Sequence, residues 1–260
     1  MARLRAPDGC PWDREQSLQS LARFVLEEAA EVVDAIERGD ADGLREEVGD
    51  LIFEGVFLAQ VSQDGGGFGV TDALEAVCAK LVRRHPHIFA AANTLTPGQV
   101  KDQWDAIKVQ EKAERGAAPA SLLEGIPLAE PALARARSIC SRVAGVGFDW
   151  PTAAAVLDKL DEETREVHDA IASGDRDAIE DEIGDMLFVI ANLARKLDID
   201  AEGALRRANR KFIRRFTDVE AQLAEAGLPL QEATLEQMEA AWQATKRAEA
   251  DRAQGSPPDR

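Results

Sequence analysis

Hydrophobic positions recur with a helical period along most of the chain. Leu18, Leu21, Val25, Ala29, Val32 and Ile36 form one such stripe, and Gly39 closes it. A second helix is predicted from about Ala41 to Gln60, stopping at the glycines at 65–67. Thr71 is read as the cap of a third helix, which Pro86 ends, and a fourth surrounds Trp104. From roughly Pro151 the same order returns. No stretch alternates with the two-residue period of a strand. The expected fold is therefore all-α, as two tandem helical bundle modules. Residues 1–115 form the first and 132–260 the second, with a flexible tail from about 251. The Pro-, Gly- and Ala-rich stretch at 116–131 reads as the linker.

The repetition extends to the polar positions. Glu-Glu-Ala-Ala-Glu at 27–31 is followed by Glu-Glu-Val-Gly-Asp at 46–50, and Glu-Glu-Thr-Arg-Glu at 162–166 by Asp-Glu-Ile-Gly-Asp at 181–185. Glu28, Glu31, Glu47 and Asp50 map onto Glu163, Glu166, Glu182 and Asp185 by one constant offset. Lys80 and Arg84 echo Lys211 and Arg215, and Trp104 and Lys108 echo Trp242 and Lys246.

At helical pitch, Glu28 and Glu31 lie about 60° and 120° from the centre of their apolar stripe, neither in the core nor opposite it. Glu163 and Glu166 flank the stripe of Leu157, Leu160, Val167 and Ile171 in the same way. A short connection makes consecutive helices antiparallel neighbours, so their acidic pairs can face each other. Converging carboxylates repel unless a cation sits among them, and an all-oxygen ligand set suits Mg²⁺, with Mn²⁺ as a substitute. A single exposed Glu-x-x-Glu normally does no more than solvate a helix. Two acidic units with identical spacing reverse that reading. Gly49 and Gly184, costly inside helices, point to close helix contact or ligand access beside each acidic pair.

Composition narrows the function. A formal net charge of −17 argues against stable nucleic-acid binding but not against a nucleotide held by local cations and a metal. Cys10, Cys78 and Cys140 are scattered and odd in number, which fits a reducing cytoplasm better than a disulfide framework or zinc site. Met1 to Cys10 lacks the apolar core of a secretory signal, and no apolar run reaches the length of a membrane span. There is no Glu-x-x-His of a di-iron carboxylate site, no P-loop, and no visible nucleophilic triad.

With these motifs in view, the chain resembles the MazG-type nucleoside triphosphate pyrophosphohydrolases of the all-α NTP pyrophosphatase superfamily. The likeness is carried by Gly-Cys-Pro-Trp-Asp at 9–13, Leu-Glu-Glu-Ala-Ala-Glu at 26–31, Glu-Val-Gly-Asp at 47–50 and Arg-Arg-His-Pro-His-Ile-Phe at 83–89. In the second half it is carried by Gly-Phe-Asp-Trp at 147–150, Glu-Ile-Gly-Asp at 182–185, Asn-Leu-Ala-Arg at 192–195 and the basic run at 208–216. The resemblance implies Mg²⁺-dependent cleavage of standard and modified nucleoside triphosphates at the α–β linkage, by a homodimer at least. It implies metal ligation by Glu163, Glu166, Glu182 and Asp185, and nucleotide contacts from Lys159, Glu162, Lys211, Arg215, Trp242 and Lys246. Lys159, Glu162 and Glu163 are the expected catalytic groups, with Glu162 orienting the attacking water. A family lysine aligns with Ala178 or its neighbours here, so either the ligand loses one contact or Arg176 substitutes from the preceding loop.

The two halves are not equal. Phe24 stands where the second half has Lys159, and Phe57 where it has Asn192. The second half is therefore expected to hold the main catalytic site. The first is expected to be a second, weaker metal site of Glu28, Glu31, Glu47 and Asp50, or chiefly scaffold and dimer surface. The rival readings are a narrower dUTP or dCTP pyrophosphatase and a non-catalytic nucleotide-binding or interaction module.

Overall fold

A computed structural model describes residues 1–90, 95–114 and 121–255, with only the backbone described at 101, 102, 105, 108, 109, 112–114 and 253–255. The chain divides into two compact units, Met1–Ala118 and Pro119–Arg260. The fold is all-α, and no strand occurs among the described residues.

The first unit runs α1 (Pro11–Glu15), α2 (Leu18–Arg38), α3 (Ala41–Asp64), α4 (Val70–Arg84), α5 (Pro86–Phe89) and α6 (Pro97–Glu114). Its backbone is the α2–α3 hairpin, with α4 packed on α3 and α6 on α4. The second runs α7 (Ala132–Ala144), α8 (Ala153–Ser173), α9 (Arg176–Lys196), α10 (Ala201–Glu225), a short 3₁₀ turn (Leu230–Glu232) and α11 (Leu235–Gly255). Here the α8–α9 hairpin is joined by α7, which packs on α9 and α10, while α11 pairs with α10.

Local chemistry sets the register of both hairpins. The Ser17 hydroxyl accepts from the Ser20 backbone N–H at the start of α2, and Thr152 accepts from Ala155 at the start of α8. Such a cap is worth about 1 kcal/mol. Gly39 and Gly174, in the left-handed region with φ of 68° and 73°, end α2 and α8. Asp40 and Asp175 then cap α3 and α9 by accepting from Gly43, and from Asp177 and Ala178. Leu21 and Phe57 are fully buried in the first unit, as Val156 and Val219 are in the second.

Several boundaries differ from the sequence reading. α3 continues one turn past Gln60, to Asp64. Thr71 lies inside α4 and does not cap it. Gly69 is the cap residue, and its N–H donates to the Asp72 carboxylate at 2.7 Å. α7 was not foreseen, because its alanine-rich start continues the linker composition. Residues 251–255, read as tail, belong to α11. Residues 116–120 of the expected linker and 256–260 of the tail lie outside the described residues.

Candidate active site

The acidic residues occupy matching places in the two hairpins. On α8 and α9, Glu163, Glu166 and Glu182 each offer a carboxylate oxygen, all within 4.8 Å of one another. Glu163 is buried, and its Oε2 has no hydrogen-bond partner. On α2 and α3, Glu28, Glu31 and Glu47 meet the same distance limit. The fourth expected ligand of each set, Asp185 or Asp50, is exposed and stands outside these triads. Asp185 is nonetheless near enough to repel Glu182, and Asp50 to repel Glu28.

The surroundings separate the halves. Lys159 Nζ lies 2.8 Å from Glu162 Oε1, 2.8 Å from Glu163 Oε1 and 3.8 Å from Glu166 Oε2. These contacts raise the lysine pKa and lower that of Glu162. Phe24 takes the place of Lys159 in the first unit, and no such cation touches its acids among the described residues. Loss of hydration raises the Glu28 pKa, reinforced by Glu31, Asp50, Glu54 and Glu27. Glu47 is raised likewise, by lost hydration and by Glu31. Glu182 is raised too, by lost hydration and then Glu166, Glu163 and Asp185.

The support behind the carboxylates differs as well. Asn192 is fully buried and accepts from Arg195 Nε at 2.7 Å, while the same guanidinium reaches Asp149 at 2.6 Å. Lys196 holds Asp149 from the other side at 2.7 Å. Burial alone would raise the Asp149 pKa, but the two cations outweigh it and the carboxyl is lowered. In the first unit an aromatic cluster fills this role. The Trp12 ring meets Phe24 and Phe57 edge-on at 5.8 and 6.4 Å, and Phe53 lies 5.8 Å from Phe57.

The second group of expected contacts sits on α10 and α11. Arg215 stands 5.8 Å over the Trp242 ring, which lies 5.2 Å from Phe212. Lys211 and Lys246 are exposed. α10 packs on α7, α9 and α11 but not on α8. Each group of expected site residues is thus assembled internally, with Lys159 on the α8 acids and Arg215 on Glu249 of α11. Arg176, the proposed replacement for a lysine, is exposed at the first turn of α9.

The acids and caps common to both hairpins fall within two matches to the MazG nucleotide pyrophosphohydrolase domain, at residues 16–89 and 152–219. The chain belongs to the MazG nucleotide pyrophosphohydrolase family. It is 48% identical over 254 residues to the "Nucleoside triphosphate pyrophosphohydrolase" of Escherichia coli (strain K12), covering 96% of each chain. It is 39% identical over 246 residues to the "Nucleoside triphosphate pyrophosphohydrolase/pyrophosphatase MazG" of Thermotoga maritima, covering 95% of this chain and 92% of that one.

The MazG matches end before α11, so Trp242 and Lys246 lie beyond them. So does Glu249, which the motif search missed. Its carboxylate receives Arg214 at 2.7 Å and Arg215 at 2.7 Å, which holds its pKa down at about 2. The first MazG half repeats the device, with Arg83 and Arg84 each 2.7 Å from Glu111. The paired arginines in each basic run are the available signal, since a carboxylate opposite adjacent guanidiniums forms strong charge-assisted hydrogen bonds. The glycine expectation is corrected in part. A Cβ on Gly49 or Gly184 would meet nothing within 4 Å, so no helix contact inside the chain demands either glycine.

The second-unit carboxylates fit a divalent cation. They bring hard oxygen donors together, and Glu163 Oε2 is buried without a hydrogen-bond partner while Lys159 holds only the other oxygen of that carboxylate. The first-unit triad offers the same donor set.

Proposed function

We propose that the α8–α9 hairpin is the catalytic centre of a Mg²⁺-dependent nucleoside triphosphate pyrophosphohydrolase, releasing nucleoside monophosphate and pyrophosphate. The observation that carries this reading is one cluster holding three convergent carboxylates and a lysine that already touches two acids. The relatives' names support the reaction class.

Glu163, Glu166, Glu182 and Asp185 would hold Mg²⁺, or Mn²⁺ in its place, with Asp185 turning inward to join the triad. A cation there supplies Lewis-acid charge to the phosphate oxygens and makes water more acidic. Lys159 exchanges its carboxylate partners for phosphate oxygens and offsets charge that develops as the α–β linkage breaks. Glu162, freed from Lys159, orients the attacking water. Lys211, Arg215 and Lys246 neutralise the outer phosphates, and Trp242 offers a face to the base or ribose. Asn192 and Arg195 tie α9 to Asp149 and hold the carboxylate-bearing helix in place.

The enzyme acts as a homodimer in this reading. The hairpins leave apolar side chains in solvent at repeated positions: Ile36 and Ile171, Val48 and Ile183, Ile52 and Leu187. A second copy covers such faces, and it can also bring α10–α11 cations toward an α8 carboxylate that they do not reach within one chain. The three free cysteines favour a reducing cytoplasm, and the strong negative charge disfavours nucleic acid. No helix among the described residues is long and apolar enough to cross a membrane.

The test is product identity. Incubation with a panel of nucleoside and deoxynucleoside triphosphates and Mg²⁺ is expected to give monophosphate and pyrophosphate, resolved by ³¹P NMR. Diphosphate and orthophosphate, or tight binding without turnover, would contradict the reading.

A further inference from the structure

We infer that the first unit holds a divalent cation in the absence of nucleotide, and that Glu54 is one of the groups that hold it. Glu54 follows Asp50 by one turn of α3 and Glu47 by two, so all three share one side of the helix. It is 8% exposed, and its Oε2 is buried without a hydrogen-bond partner. Glu54 stands outside the triad of Glu28, Glu31 and Glu47 but on the same face of α3 as Glu47 and Asp50, near enough for Asp50 to raise its pKa and for its own charge to raise that of Glu28 across the hairpin.

The second unit has Val189 at the corresponding position, so the fold does not require an acid there. The chain places a fifth carboxylate in the half that also lacks the internal lysine. Among the described residues, no arginine or lysine pairs with any of these five acids. Arg23, the nearest cation in sequence to Phe24, lies over that ring at 4.4 Å. A buried carboxylate beside other carboxylates is strongly unfavourable unless it is protonated or meets a cation.

The contrast with the second unit sets the ligand class. There Lys159 supplies countercharge, and a triphosphate can displace it. Here Phe24 and Phe57 offer phosphate neither a charge nor a donor, while the converging Glu28, Glu31 and Glu47, backed by Glu54 and Asp50 on α3, can satisfy a hard divalent ion without substrate oxygens. The cation is thus a fixed part of the first unit and not a partner of the nucleotide. This inference rests on reading the acidic clusters as divalent-cation sites, and it adds a residue and a nucleotide-independent role to one of them.

The experiment is a Mn²⁺ titration of the full chain without nucleotide, with free Mn²⁺ followed by electron paramagnetic resonance. The wild type is expected to show a tighter and a weaker class of site. Glu54→Gln, which keeps the shape and removes the charge, is expected to weaken the tighter class by about ten-fold or more, as loss of a supporting metal-site group does. Glu163→Gln should weaken only the other class. Glu31→Gln, at an exposed position, serves as a second first-unit variant should Glu54→Gln not fold by circular dichroism. An unchanged tighter class in Glu54→Gln would identify Glu54 as a protonated core acid and overturn the inference alone. A tighter class that follows Glu163 would also overturn it. No Mn²⁺ bound by the wild type would overturn both this inference and the proposed catalytic centre.

Discussion

The two hairpins carry the same acids at the same spacing, between the same kinds of cap, yet their neighbours are chemically opposite. In the second unit Lys159 pairs with Glu163, and Arg195 ties Asn192 to Asp149 by hydrogen bonds. In the first unit Phe24 precedes Glu28 by one turn of α2, and Trp12, Phe24, Phe57 and Phe53 pack edge-on and tilted against one another. A carboxylate cluster alone selects a cation. What stands beside it determines whether a phosphate can follow. On the proposed reading, the duplicated frame separates two properties that usually occur together, metal affinity and substrate chemistry.

The comparison breaks most easily at the acids. Glu163→Ala combined with Glu166→Ala is expected to lower kcat/KM by on the order of 10³-fold, whereas Glu28→Ala combined with Glu31→Ala costs no more than about five-fold. Steady-state pyrophosphate release checks both, and equal losses would make the halves equivalent. Next in size is Lys159→Met, expected to lower kcat by about 10²-fold because charge developing on the phosphate loses a preorganised partner. A loss confined to KM would assign Lys159 to binding alone. A smaller effect is expected for Arg215→Ala, which should raise KM by about ten-fold, the scale of one charged hydrogen bond.

The smallest expected effect concerns pH. The raised pKa values of Glu28, Glu47 and Glu54 mean that their favourable contribution to folding is complete below the ordinary carboxylate value and is lost as pH rises through the raised values. Glu182 is the one counterpart of these raised groups in the second triad. Lowering the pH of metal-free protein from about 7 to about 5 should therefore raise the melting temperature of the first unit by a few degrees. The ion pairs of Glu111 and Glu249 do not offset this, since they weaken only as pH falls from 4.5 toward about 2. Scanning calorimetry with and without Mn²⁺ reads the effect, and Mn²⁺ at neutral pH should supply most of the gain. A melting temperature that falls over the same interval would contradict it.

Much of this was legible in the sequence because it depends on local rules. Ser17, Thr152, Asp40 and Asp175 mark helix starts by side-chain caps, and Gly39 and Gly174 mark the ends, so the hairpins and their acid registers follow from spacing. The loss of Lys159 and Asn192 in the first half was visible by internal comparison. What was not legible depends on the tertiary environment. Glu249 and Glu111 lie far along the chain from the arginines they hold. Glu54 reads as one more helix-surface acid until its burial is known. The missed α7 carries Leu133, Ala136, Ile139 and Val143 at helical spacing, but its alanine-rich composition merges with the preceding linker. Asp50 and Asp185 share the helical face of their neighbours, yet their carboxylates remain outside the triads.

In the proposed enzyme, one of the two hairpins handles the triphosphate. Isothermal titration with an α,β-imido nucleoside triphosphate and Mg²⁺ measures this directly. The expected result is one nucleotide per chain, with binding abolished by Glu163→Gln. Two nucleotides per chain, or a single one that survives that substitution, would rule out a single triphosphate site at the α8–α9 hairpin.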